Sequence, residues 1–383
     1  MTEDITHAVR ELGDRFAAGR PERQRRRSLD AADFAQLAAT GFPLLAVPTE
    51  HGGSWLSVPQ STRGICDSLL ALAHGDSSLA LVAAMHPSVL AFWLASPNAP
   101  EPYSRAWAAQ QRRVWESVRE GAWWGTITSE PGSGGDVART RTTAAPEGEG
   151  ARYRITGQKH FGSGSGIASY VLTSALPTDA TAPDWFFLHV RDTPWDGTTG
   201  MHLLAEWDGA GMIATQSHAF RFEQFPAERF AWEDNLLGIQ RACGGAVSCF
   251  FAAVVVGVAQ VAMQTARHQL IRRAGTLRPY EQVEWSRAEI ESWLIDQAYE
   301  GMLRAVEAEA GTPLAVRCGK LAIAELAESL LGRLCRVLGG GAYSRYSPFS
   351  YWFEDVRALG FLRPPWALAF DALFDASLAT LPK

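Results

Sequence analysis

The chain has 383 residues, 47% of them hydrophobic and 20% charged, with a formal net charge of −6. That balance excludes a disordered or fibrous chain, and the length asks for two or three domains or layers. The acidic balance, with a single basic cluster from Arg20 to Arg27 that reads as a solvated helix end, argues against nucleic acid as a partner.

The opening 120 residues read as helical. Apolar positions at helical spacing predict a helix over residues 5–18. Asp30 is placed to cap a helix over 31–39, which stops at Gly41. A turn-rich connection, 41–53, leads to two apolar helices over 58–74 and 77–94, with Asp76-Ser77-Ser78 as the cap between them. From residue 122 to about 230, Gly, Pro, Ser and Thr become frequent and β-prone runs appear at 153–156, 169–173, 185–190 and 220–222. Short strands punctuated by turns predict a β-barrel or sandwich, with 146–150 as a hairpin loop.

After Gly244 the pattern is helical again, over 246–273, 284–309 and 314–338. Gly311-Thr312-Pro313 separates the last two, and Gly339-Gly340-Gly341 ends the third. Pro364 and Pro365 precede a final helix over 366–378. The order predicts an α+β chain: an N-terminal α-helical domain (1–120), a middle β-barrel domain (121–235) and a C-terminal helical bundle (236–383).

The five cysteines form no CxxC pair and no metal-ligand spacing, as expected of reduced thiols in a cytoplasmic protein. The acidic start, Met1-Thr2-Glu3-Asp4, has no apolar segment of signal-peptide type. The most apolar run, residues 249–262, is short for a membrane span and reads as a core helix. Gly162-Ser163-Gly164-Ser165-Gly166 lacks the strand-turn-helix unit and the later acidic residue of a dinucleotide fingerprint, so no nicotinamide site is expected.

Two runs carry most of the functional information. Thr128-Ser129-Glu130-Pro131-Gly132-Ser133-Gly134-Gly135-Asp136 is a Gly-rich turn after an apolar segment. Such a turn brings backbone N–H groups close to a ligand, although a plain β-turn cluster has the same composition. Tyr153-Arg154-Ile155-Thr156-Gly157-Gln158-Lys159-His160-Phe161-Gly162-Ser163-Gly164 reads as a strand ending in a second Gly/Ser turn. Together they resemble the middle domain of the acyl-CoA dehydrogenase superfamily. Residues 41–53, Trp207 to His218, Phe225 to Glu228, Leu338 to Ser344 and Phe353 to Arg357 also resemble segments of that family, in order.

The resemblance implies the acyl-CoA dehydrogenase fold with a C-terminal four-helix bundle, and FAD as cofactor. It places Ile127, Thr128, Ser129 and the turn with Gly134 along the flavin, Phe161 against its ring, and Ser163 as a hydroxyl that bonds it. Arg272 or Arg273 falls where a family arginine meets the pyrophosphate, and Gly339 and Gly340 where a neighbouring subunit meets the adenosine diphosphate. Arg273 is the candidate retained; a helix-terminal arginine has the same local signature. A homodimer or homotetramer follows.

The departures concern the chemistry. The family glutamate that removes an α-proton falls here on Arg363, and its alternative position falls on Val247-Ser248-Cys249. Arg363 cannot act as a base near neutral pH, but it can hold an anion. Ser217-His218 resembles a pair found in the monooxygenase branch; His218 is a candidate hydrogen-bond donor, or a strand histidine turned elsewhere. The expectation is an oxygen-using flavin oxidase or monooxygenase on a small-molecule or acyl-thioester substrate, served by a separate flavin reductase or electron-transfer partner. The alternatives are an acyl-CoA or acyl-carrier dehydrogenase with a relocated base, and a non-catalytic flavin-binding scaffold.

Overall fold

The computed structural model describes residues 2–148, 150–308, 313–362 and 364–378. Outside them lie Arg363, Glu149 of the expected hairpin loop, residue 309 at the expected end of a helix, and Gly311-Thr312 of the expected break.

Six helices come first: α1 (Thr2–Ala18), α2 (Arg20–Arg23), α3 (Ala31–Ala39), α4 (Val58–Gly75), α5 (Ser77–Leu94) and α6 (Ser104–Arg119). Local chemistry sets their starts. The Asp30 carboxylate accepts from the Ala32 N–H, the Ser57 hydroxyl from Gln60, and the Asp76 carboxylate from Leu79. Gly41, at φ 87°, turns the chain after α3. Helix α6, not among the helices named above, buries Trp107, Val114, Trp115 and Val118 on one face, at i, i+7, i+8 and i+11.

Seven strands follow: β1 (Trp124–Thr126), β2 (Thr143–Pro146), β3 (Arg152–Gly162), β4 (Tyr170–Pro177), β5 (Asp184–His189), β6 (Met201–Ala205) and β7 (His218–Arg229). Strands β4, β2, β3, β7 and β5 form a closed ring, because β5 pairs with both β7 and β4. The β-rich region is therefore a barrel rather than a sandwich, and closure removes the free edges within that ring. Strand β1 pairs with β4 and β6 with β7. Ile155, Phe186, Leu188, Phe220 and Phe222 fill the interior.

The last helices are α7 (Leu236–Leu270), α8 (Pro279–Glu307), α9 (Pro313–Leu338), α10 (Pro348–Val356), α11 (Ala358–Phe361) and α12 (Trp366–Leu378). Helix α7 begins at Leu236 rather than at residue 246. Gly244 and Gly245 each cost about 1 kcal/mol in a helix, but the burial of Ile239, Cys243 and Ala246 on either side carries the helix through them. Helix α7 packs against α4 and α5 on one side and α8 and α9 on the other. A Cβ on Gly257 would lie 2.6 Å from the Leu70 carbonyl oxygen, so this glycine lets α4 approach closely. By length and composition α5 and α7 are apolar enough to cross a membrane, yet most of each is buried within the protein, as core helices are.

Candidate active site

A cavity of about 740 Å³ opens between the barrel, α5, α7 and the α10–α11 segment. Helix α5 contributes Leu81, Met85, Val89 and Phe92; every residue of α5 except Phe92 is buried, so its sequence carries no amphipathic stripe. Helix α7 contributes Cys243, Val247, Ser248 and Phe251. The second expected position for a glutamate thus does face the cavity, but it presents Val247 and Ser248.

Thr128, Ser129, Glu130, Gly134 and Gly135 bring the Gly-rich turn to the cavity wall. Gly134 has φ 64° and an added Cβ would meet nothing, so its backbone is open to a ligand. Gly135 plays a different part: its added Cβ would lie 2.8 Å from Pro365 Cγ, so the turn touches the C-terminal segment there. The turn is tied to β3 by a buried ion pair. Lys159 Nζ donates to Glu130 Oε1 at 2.6 Å and to the Ser174 carbonyl at 2.6 Å. Glu130 also accepts from the Thr140 hydroxyl and from the N–H groups of Arg141 and Thr142. Burial by itself would raise the Glu130 carboxyl; the Lys159 ammonium and these donors outweigh it and pull it down to about 2.

At the end of β3 a register shift between Lys159 and Gly162 throws Phe161 out of the ladder. Phe161 has φ 61°, is 59% exposed and lines the cavity. Left-handed backbone at a phenylalanine is strain of the kind kept at ligand sites. Its ring meets that of Trp207 edge-on, centroids 6.1 Å apart. Ser163, also in the wall, lies 2.8 Å from Ser217 Oγ, which lies 2.8 Å from Thr215 Oγ1. Two aromatic rings, three hydroxyls and an open glycine backbone around 740 Å³ suit a flat, polar-edged ring system such as a flavin.

The remaining sequence candidates are dispersed. The side chain of Ile127, expected on the flavin, belongs to the barrel interior; the residue lies one step beyond β1, and its N–H donates to the Leu172 carbonyl of β4 at 2.8 Å. His218 does not line the cavity either. It packs between Trp195 and Phe220, and its Nδ1 accepts the Trp207 N–H at 2.8 Å. Burial lowers its pKa, so the ring is neutral and its place is to hold Trp207 rather than to meet a ligand. Arg273 and the Gly339-Gly340 turn do not line this cavity; the Arg273 guanidinium donates to the Val337 carbonyl at 2.7 Å and to Glu281 at 3.2 Å. Arg363 lies outside the described residues.

Other members of the wall were not named as site residues, although two of them lie in the family-like segment Phe353 to Arg357. Glu354 and Arg357 both line the cavity and pair with each other at 2.7 Å. Asp355 between them is buried; its carboxylate accepts from the Met212 N–H and the Ser77 hydroxyl, each at 2.6 Å. Burial pushes that carboxyl up to about 6. Lys320 of α9, buried and pushed down by desolvation to about 7, donates to the carbonyls of Leu362 and Pro364 and so fastens the segment that reaches Gly135.

Comparison with known proteins agrees with this architecture. Residues 125–225 match the family described as acyl-CoA dehydrogenase, middle domain. The putative acyl-CoA dehydrogenase YdbM of Bacillus subtilis is 24% identical, over 92% of this chain and 91% of its own. The dibenzothiophene monooxygenase of Rhodococcus qingshengii is 25% identical over 69% of this chain and 61% of its own. The solved structure of KijD3 with FMN and a dTDP-linked amino sugar superposes with a TM-score of 0.81 at 22% identity, covering 100% of this chain and 94% of that one; at that identity the likeness carries the fold. Residues 125–225 thus match the acyl-CoA dehydrogenase middle domain, and with that domain set between helices the whole chain has the acyl-CoA dehydrogenase fold.

Proposed function

We propose that the protein is a flavin-dependent monooxygenase acting on a small, uncharged, largely apolar molecule. One observation carries the reading: both carboxylates among the described lining residues are committed to ion pairs, Glu130 with Lys159 and Glu354 with Arg357. Neither is placed as a free base for an α-proton, which dehydrogenation of an acyl thioester needs. A reduced flavin would supply two electrons to dioxygen, one oxygen atom going to the substrate and the other leaving as water. The chain's own residues do the rest. Phe161 and Trp207 flank the ring site. The walls from α5 and α7 exclude water, and their hydroxyls are spent locally, Ser88 on the Ala84 carbonyl and Ser248 on that of Gly244. A charged substrate would be desolvated there without compensation.

FAD is what the sequence resemblance implies. FMN is the flavin bound in the solved KijD3 structure and is the alternative. Release of the flavin by heat, followed by chromatography, decides between them. A separate reductase in the cytoplasm would supply the electrons. A homodimer or homotetramer is supported by exposed Tyr280, Val283, Ile290 and Trp293 along α8.

The second reading, a dehydrogenase with Glu354 as relocated base, is favoured by the position of Glu354 in the cavity wall. Anaerobic mixing of the flavin-loaded protein with saturated acyl-CoAs separates the two. Bleaching of the flavin with an enoyl product makes the protein a dehydrogenase. A flavin that stays oxidised, but oxygenates indole or a thiophene once reduced and exposed to air, makes it a monooxygenase.

A further inference from the structure

A chain of hydroxyls ends at the cavity wall, and its hydrogens have only one arrangement. Thr215 Oγ1 lies 2.8 Å from the Met212 carbonyl oxygen, Ser217 Oγ 2.8 Å from Thr215 Oγ1, and Ser163 Oγ 2.8 Å from Ser217 Oγ. Each hydroxyl has a single hydrogen to give. A carbonyl cannot donate, so Thr215 gives its hydrogen to Met212. Thr215 can then only accept from Ser217, and Ser217 can then only accept from Ser163. Reversing any link would set two oxygen lone pairs 2.8 Å apart among three buried residues, where solvent does not screen the repulsion. The anchor is firm, because the Asp355 carboxylate holds the Met212 N–H at 2.6 Å. Ser163 therefore turns lone pairs, not a hydrogen, toward the cavity.

We propose that this ordered chain makes the site selective for reduced over oxidised flavin. The inference rests on the reading above that a flavin lies against Ser163. Reduction converts a nitrogen of the central flavin ring from a lone-pair acceptor into an N–H donor. The N–H form meets the Ser163 lone pair as a hydrogen bond; the oxidised form meets it lone pair to lone pair. One neutral hydrogen bond set against one unfavourable contact corresponds to about a tenfold difference in affinity. Ser217 and Thr215 are positioning residues in this scheme, acting only through Ser163. The preference suits a chain that receives its electrons as reduced flavin: it captures that form and releases the spent one.

The test is a pair of titrations followed by quenching of protein fluorescence, with oxidised FMN in air and with dithionite-reduced FMN under argon. The wild type is expected to bind the reduced form about tenfold more tightly. In Ser217→Ala the Ser163 hydrogen loses its acceptor and turns to the ligand, so the ratio should fall to unity or invert. Thr215→Val, nearly isosteric, frees the Ser217 hydrogen for Ser163 and should do the same. Equal binding of both forms by the wild type, or an unchanged ratio in both variants, overturns the inference while leaving the flavin site intact. Failure of the wild type to bind either form overturns the flavin reading itself, and this inference with it.

Discussion

Replacing Lys159 with Met tests whether the buried pair behind the Gly-rich turn holds the site together. Lys159 is fully buried, and its ammonium meets Glu130, the Thr140 hydroxyl and the Ser174 carbonyl. Met conserves most of the volume, so the loss is electrostatic. Glu130 would keep the Thr140 hydroxyl and the Arg141 and Thr142 N–H groups but lose the Lys159 ammonium as countercharge. Breaking one side of a buried pair costs about 3–5 kcal/mol. Glu130→Gln alone should cost about as much, because it strands the ammonium. The double variant leaves neither charge behind, so its cost should be well below the sum, with a coupling of about 2 kcal/mol or more. Urea unfolding of the flavin-free protein, at one protein concentration and followed by tryptophan fluorescence, measures all four corners of the cycle. Additivity within about 0.5 kcal/mol would refute the reasoning. The pair also sets a pH dependence. The Glu130 pKa is depressed to about 2, so its contribution is complete above the ordinary carboxyl range and is lost as pH falls toward 2.

Three further outcomes are expected. Phe161→Gly should be more stable than Phe161→Ala by about 1 kcal/mol, because alanine keeps the left-handed strain that glycine relieves; both should bind flavin more weakly, and an alanine variant as stable as the glycine one counts against strain at φ 61°. Lys320→Met should loosen the segment around Leu362 and Pro364 and weaken flavin retention several-fold, whereas Lys320→Arg should recover part of it; equal flavin affinity in all three proteins argues that the clasp does not shape the cavity. Asp355 has the opposite sign to Glu130: its folded pKa is raised to about 6, so the stability linked to its protonation is complete below the ordinary carboxyl value and is lost as pH rises through 6. Asp355→Asn should flatten the stability profile between about pH 4 and 6, and an unchanged slope in urea midpoints would remove Asp355 as its cause.

Elements whose ends are set by neighbouring residues were legible from the sequence. Helix α5 starts at the Asp76 cap and α12 follows Pro364 and Pro365, and both occupy the expected residues. The Gly-rich turn, Phe161 and Ser163 were legible too, since open backbone and a hydroxyl beside an aromatic are local properties, and they meet at one wall. What depends on partners distant in the chain was not. Closure of the barrel rests on β5 reaching both β4 and β7, and no periodicity within β5 records that. The direction of Ile127, one residue beyond β1, follows its hydrogen bonds to Leu172 and Thr173 of β4, and its side chain lies in the barrel. His218 opens β7 one residue beyond Ser217; Ser217 lines the cavity, while the His218 ring packs on Trp195. The chemical state of a carboxylate is the most non-local property of all. Nothing adjacent to Glu130 in the sequence commits its charge; folding brings Lys159, 29 residues away, to 2.6 Å.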